Sequence, residues 1–367
     1  MALIPAVGVD ASPHLRHLVD DIDRSARACA AAPDEARRQL ARSRRERAAL
    51  ASLRLDGSPI GAAPTQEAIA DARGTVEAVE AAEPTRVGTW FDAMRAFDGP
   101  DPDDPEAAAH DASLQALEFD GVTRAMAADE LGAELARDPL PALVELHRIL
   151  THRLVALERS GQLRRIDQAV HDASVGRILY FTVEPDRIAT ELTALTERAA
   201  ATAPDEHGVV TSGLVHLELL RIHPFDAANG RLARVAADLL LRATGVDPDG
   251  LAAPAAVLDA DRLGYHDEVA RTLRRRDPTV WLERWAEAVS EGLRDAAREL
   301  GQLGGEVPGR AEDFLAARPA GAFTVAEHRD ETGLDRDALE ADRRALLDAG
   351  RIVRVPGSRG LRFTTER

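Results

Sequence analysis

Apolar residues in this chain recur every three to four positions in one segment after another, and only 4% of its residues are aromatic. A helix buries such a stripe along one face, whereas a strand needs strict alternation. A mainly α fold is therefore expected. Residues 34–55, DEARRQLARSRRERAALASLRL, read as one helix that stops at Asp56-Gly57-Ser58-Pro59, where glycine suits the position after the cap and proline cannot continue the turn. Helices are also expected over 65–82, 86–97, 128–159, 186–200, 208–221, 230–243 and 279–300. FDGPDPDDPE, 97–106, is too rich in Pro and Asp for regular structure. One stretch breaks the helical pattern: 167–183, with Gly176 and the β-prone run ILYFTV, reads as a β-hairpin.

Composition removes several function classes. The chain has 367 residues and a formal charge of −17, with arginine as its only strong base. That balance disfavours general attraction to nucleic acid or anionic lipid, so a polyanion would need a local basic pocket. Cys29 is the only cysteine, which excludes an internal disulfide and a Cys-rich zinc cage. No apolar run approaches the roughly 20 residues that span a bilayer. The start, MALIPAVGVDASPH, has no basic segment ahead of a long apolar core. A cytoplasmic protein without a membrane partner is expected. HExxH, Walker A, GxSxG and GxGxxG patterns are absent, so zinc hydrolase, P-loop, serine hydrolase and dinucleotide-binding readings lack their minimum parts.

Chemistry concentrates in VHLELLRIHPFDAANGRLAR, from Val215 to Arg234. A helix ending near Ile222 is interrupted at His223, because Pro224 pushes the residue before it out of the α region. A second helix is expected to start near Asn229, a favoured N-cap residue, with Leu232, Val235, Leu239 and Leu240 as its buried stripe. Exposed N–H groups at that start, with Gly230 allowing close approach and Arg231 and Arg234 three residues apart, would cradle phosphate oxygens. His223 sits beside them, where a general base would. On residues alone, a capped helix with surface charges is an equal alternative.

The whole string resembles the Fic family signature HPFx(D/E)GNGRxxR, matching at His223, Pro224, Phe225, Asn229, Gly230, Arg231 and Arg234. The resemblance extends upstream to the helix containing His216, to Leu146, His147 and Leu150, and to Gly161 through Arg164. It implies a helical bundle with a β-hairpin flap, which 167–183 would supply. It further implies a nucleotidyltransferase with ATP as substrate and Mg²⁺ as its metal, moving AMP to a Tyr, Thr or Ser hydroxyl of a target protein. His223 would be the catalytic base, and Asn229, Gly230, Arg231 and Arg234 would bind the nucleotide phosphates. The flap, through Ile178, Leu179 and Tyr180, would pair with the target's main chain as an added strand. Self-modification and a homodimer are compatible with this reading.

Two departures matter. The family's metal-binding acid falls at Ala227, and Asp226 lies one place early, so Asp226 is the candidate metal ligand only if it swings in; otherwise phosphates and water hold the cation. Some relatives also carry an inhibitory (S/T)xxxE(G/N) helix. Ser52-Leu53-Arg54-Leu55-Asp56-Gly57 has that spacing with Asp for Glu, which implies an Asp56–Arg234 pair that autoinhibits; a plain helix end at Asp56-Gly57 is the other reading.

After GQLGGEVPGR, 301–310, which reads as a linker, residues 323–363 give two helices joined at Gly333 and two short strands around a turn. That outline is a winged helix-turn-helix. Its hairpin carries Arg351, Arg354, Arg359 and Arg362, so DNA is a candidate partner, although the second helix is acidic. The expected layout is an N-terminal helical region over 1–127, a Fic core over 128–300, a linker over 301–312 and a winged helix over 313–367. The competing reading is a regulator on a Fic scaffold with decayed catalysis, binding DNA or a partner through the winged helix.

Overall fold

The computed structural model describes residues 12–58, 69–75, 105–172, 177–200, 206–304, 307–318, 321–355 and 362–365. The helix expected over 86–97, and all of the one over 65–82 except 69–75, lie outside them.

Helix α1 (Pro13–Ala30) begins under a Ser12 side-chain cap. Helix α2 (Asp34–Leu55) has the bounds its stop signal predicts, and Gly57 turns the chain away at φ 83°. Helices α3 (Pro105–Ala125), α4 (Asp129–Arg137) and α5 (Pro139–Leu150) follow. The single block expected over 128–159 is thus two helices and a run of turns. Asp138, held extended at ψ 89° by the proline after it, makes the break.

Two helices form the centre. Helix α7 (Gly208–Ile222) is apolar almost all round and buried from Ser212 to Ile222, a distribution only an enclosed helix tolerates. Helix α8 (Asn229–Ala243) returns beside it, and α2 through α5 pack around α8. The fit of α4 against α8 is backbone-close: a Cβ on Gly132 would lie 2.8 Å from the Leu239 carbonyl oxygen. Helix α6 (Ile188–Ala200), α9 (Pro254–Asp259), α10 (Arg262–Arg275) and α11 (Thr279–Glu299) close the bundle, with α1 lying along α11.

The hairpin expected over 167–183 is β1 (Ala169–Asp172) antiparallel to β2 (Arg177–Phe181), with a register shift between Val170 and His171. The fold is a mainly helical bundle with a small hairpin. Beyond it come α12 (Gly309–Ala316), β3 (Phe323–Thr324), α13 (Val325–Thr332), α14 (Arg336–Asp348), β4 (Val353–Arg354) and β5 (Arg362–Thr364), with the strands in the order β3-β5-β4. Phe314, Phe323, Leu346, Ile352 and Phe363 give this unit its own core. Ion pairs fix it to the bundle: Arg24 Nη1 and Nη2 reach Asp348, at 2.8 and 3.1 Å, and Arg354 reaches Glu287 at 3.3 Å. Among the described residues no helix is long and apolar enough to cross a membrane.

Candidate active site

Pro224 dictates the local backbone. His223 cannot continue α7, and it takes the left-handed conformation, φ 52° and ψ 61°, while its N–H still closes the helix on the Leu219 carbonyl at 2.9 Å. The conformation is uncommon for a residue with a Cβ and persists only where neighbours enforce it. Arg164 is the enforcer. Its Nε donates to the His223 carbonyl at 2.6 Å, Nη1 to the Ile166 carbonyl at 2.7 Å, and Nη2 to Thr182 Oγ1 at 3.0 Å and the Ile222 carbonyl at 3.3 Å. Nη2 also reaches the Val183 carbonyl. One buried guanidinium therefore satisfies the carbonyls that the end of α7 leaves open and ties the base of the hairpin to the loop. The Arg164 N–H adds a bond to the Pro224 carbonyl at 3.0 Å.

The half-buried His223 ring lies with Nδ1 3.4 Å from the Leu220 carbonyl. A carbonyl can only accept, so Nδ1 carries the hydrogen and Nε2 keeps its lone pair. Burial pushes the imidazole pKa down to about 4, helped by the Arg164 charge and opposed by the Leu220 carbonyl. The ring is neutral near pH 7, the state a general base requires. Beneath the loop His147 stacks on Phe225, centroids 4.0 Å apart, and its Nδ1 accepts the Gly161 N–H at 2.8 Å.

Asn229 does not cap its own helix. The N-cap is Ala228, at φ 60°, with no side-chain bond. Asn229 instead grips Phe225 at both ends: its Oδ1 accepts the Phe225 N–H at 3.0 Å and its Nδ2 donates to the Phe225 carbonyl at 2.8 Å. The amide closes the loop and leaves the first N–H groups of α8 open.

Asp56 faces that opening. Its Oδ1 lies 2.6 Å from Arg234 Nη2 and its Oδ2 3.4 Å from Arg231 Nε. Ser52 completes the grip on Arg234, Oγ accepting from Nε and the carbonyl from Nη2, each at 2.8 Å. A Cβ on Gly230 would come within 2.7 Å of Asp56 Oδ1, so a side chain there would push the carboxylate back from the helix start. Arg231 also pairs with the buried Glu118 of α3 at 2.9 Å. Behind Arg234, the Tyr265 hydroxyl adds to the polar groups that favour its charge, and it lies 3.2 Å from His216 Nε2, whose ring stacks on Trp281.

The three flap positions differ. Ile178 is exposed, whereas Leu179 and Tyr180 are buried against the bundle. Arg274 of α10 donates to the Leu179 carbonyl at 3.1 Å. Asp226 is engaged elsewhere: Arg159 holds one of its oxygens from Nη2 at 2.6 Å and from Nε at 3.2 Å. With alanine at 227 and 228, the loop's one carboxylate is Asp226, tied through Oδ2 to Arg159, and no group of three His, Cys, Asp or Glu side chains converges among the described residues. These residues do not fit a protein-held Mg²⁺.

Sequence reasoning passes over Glu118, Arg159 and Tyr265, which stand outside the signature string. Arg164 was visible only as the last residue of a G-x-x-R pattern.

Residues 139–241, which hold the hairpin and the His223 loop, match the Fic/DOC family model. Over that segment the chain is similar to the Fic/DOC family. Among solved structures it is similar to a Fic family protein from Desulfovibrio desulfuricans G20, at 17% identity, with a TM-score of 0.59 and 96% of each chain covered. It is also similar to Fic-1, residues 134–508, from C. elegans, at 13% identity and TM-score 0.53, covering 78% of this chain and 71% of that one. A Fic domain containing signaling protein from Bacteroides thetaiotaomicron gives 12% identity and TM-score 0.52, covering 77% and 97%. These likenesses show the fold. No curated protein matches.

Proposed function

We propose that this chain is a protein adenylyltransferase whose own Asp56 holds it in check. The observation that carries the reading is the placement of a neutral His223 beside a helix start where Asp56 already spans Arg231 and Arg234 as an anion would. With ATP in that seat, the two guanidinium groups and the first N–H groups of α8 would neutralise the phosphates. The hydroxyl oxygen of a target Tyr, Thr or Ser would attack the α-phosphorus in line. The bond from that phosphorus to the bridging oxygen breaks, pyrophosphate leaves, and the hydroxyl proton passes to His223 Nε2. The polyanion would also raise the basicity of an imidazole that burial has depressed. No step is assigned to Mg²⁺.

Asp56 and a triphosphate cannot share Arg234, so nucleotide and brake compete. Target pairing is assigned to the hairpin, with Ile178 outward and Leu179 and Tyr180 anchoring β2. For the C-terminal unit, a winged helix is supported by its element order. Its second helix turns Asp348 to Arg24 and Glu340 to His17, so the helix that would read DNA is engaged with the chain's own core, and we assign it no DNA.

Incubating the full chain with α-labelled ATP tests the proposal. Label is expected on the Asp56→Gly protein and absent from His223→Ala/Asp56→Gly. Label that survives loss of His223 overturns it.

A further inference from the structure

A second site, independent of the transfer reading, lies on the far side of α10. A cleft of about 1140 Å³ opens between α1, α10 and α11 of the bundle and α13 and α14 of the C-terminal unit. Six arginines line it, Arg271, Arg275, Arg284, Arg329, Arg336 and Arg343, against four glutamates. In a chain of net charge −17 such a surplus is local and opposite to the whole.

The glutamates are already engaged. Glu268 pairs with Arg271 at 2.9 Å, Glu287 with His14 at 3.0 Å, Glu340 with His17 at 3.5 Å, and Glu283 with the Ser12 hydroxyl. Arg284 turns away to Asp261 at 2.9 Å. Arg275 and Arg336, by contrast, are exposed and have no carboxylate within ion-pair distance among the described residues. For Arg343, burial disfavours the ionised form most; Glu340 and Asp21 pull the other way, and Arg354 and Arg336 add like charge. Exposed arginines on facing walls of one cleft favour an anion that enters it, even with Asp277 acting on Arg275 from nearby. The cleft also has an apolar part, formed by Val280, Val325 and Leu339, and its volume is that of a site for an organic ligand rather than a bare ion.

We propose that this cleft binds a nucleoside polyphosphate, with Arg275 and Arg336 taking the phosphates and Val280, Val325 and Leu339 the nucleoside. Arginine forks suit phosphate oxygens, and two of them from opposite walls would bridge the bundle and the C-terminal unit through one ligand. Helix α10 forms one wall while its other residues reach the proposed transfer site: Tyr265 meets Arg234, His266 Nε2 lies 2.8 Å from the Leu55 carbonyl, and Arg274 holds Leu179 of the hairpin.

Calorimetric titration of the full chain with ADP tests this, with inorganic pyrophosphate as the arm that lacks a nucleoside. Saturable ADP binding is expected to persist in Arg234→Ala and to weaken about tenfold or more in each of Arg275→Glu and Arg336→Glu, the loss of one charge-assisted phosphate contact. Both arginines are exposed, and Arg275→Gln and Arg336→Gln, with unchanged melting curves, serve as milder variants that should weaken binding in the same order. Absence of saturable binding, binding that disappears with Arg234→Ala, or binding indifferent to both charge reversals would overturn the site. Pyrophosphate binding as tightly as ADP would overturn the nucleoside part of the assignment.

Discussion

The Asp56 carboxylate lies 2.6 Å from the Arg234 guanidinium and, through its other oxygen, 3.4 Å from that of Arg231. One short side chain thus reaches both arginines of the signature string. It can do so because Gly230, between them, has no Cβ to keep it out.

Removing the carboxylate should free the seat. The Asp56 side chain is 30% exposed, so the pair is worth about 1–2 kcal/mol, between a surface and a buried ion pair. Self-labelling of Asp56→Gly is then expected to exceed wild type by about tenfold. Ser52→Ala, which removes one of the bonds to Arg234 but leaves the charge, should give a smaller rise. Equal labelling rates in all three proteins would contradict the competition between brake and nucleotide.

The left-handed Ala228 predicts a stabilising substitution. A Cβ at φ 60° costs about 1 kcal/mol relative to glycine. Ala228→Gly should therefore raise the melting temperature by roughly one to two degrees for a chain of this size. Ala228→Val should lower it, and a lower melting temperature in the glycine variant would show that the strain has no energetic weight.

Histidine burial sets the acid limit of stability. Burial pushes His147 to about 4, as it does His223, and holds His216 well below its ordinary value. In the unfolded chain each takes its proton near pH 6.5. Between those limits the unfolded state binds more protons, so stability is full above about pH 6.5 and is lost as pH falls toward 4, by up to about 1.4 kcal/mol per pH unit for each imidazole. Melting temperatures should drop between about pH 7 and about pH 5 less steeply in His147→Gln than in wild type. Parallel curves would refute the assignment.

Arg164 should prove indispensable to the loop. Arg164→Met leaves several carbonyls at the end of α7 without their buried donor, at a cost of about 3 kcal/mol or more. Arg164→Lys should not rescue it, because a single ammonium cannot span acceptors on His223, Ile166 and Thr182 together. Melting temperature and self-labelling in the Asp56→Gly background should fall together; a Lys variant with both intact would sink the clamp.

How much of this was legible beforehand depended on whether the cause was local. The ends of α2, the break at His223 and the hairpin between Ala169 and Phe181 follow from neighbours in sequence, Gly57, Pro224 and a β-prone run. Helix α1 had its signal, Ser12 ahead of Pro13 and the stripe Leu15, Leu18 and Ile22, whereas α3 and α10 gain meaning only against α2 and α7. The role of Asn229 was misread for a related reason. Its type favours a cap, but the Phe225 backbone, folded back over it, offers the amide both a donor and an acceptor.

By itself the sequence determined a mainly helical chain and a proline-broken loop from His223 into a second helix carrying Arg231 and Arg234; the family resemblance added the seat and the acidic helix end that would meet it. Tertiary structure alone decided that Asp56 serves two arginines, that Glu118 and Tyr265 hold those arginines from behind, and that Asp226 is spent on Arg159. Periodicity and proline act between residues a few positions apart. A charge finds its partner by distance in space, and the partner of Arg234 is 178 residues away.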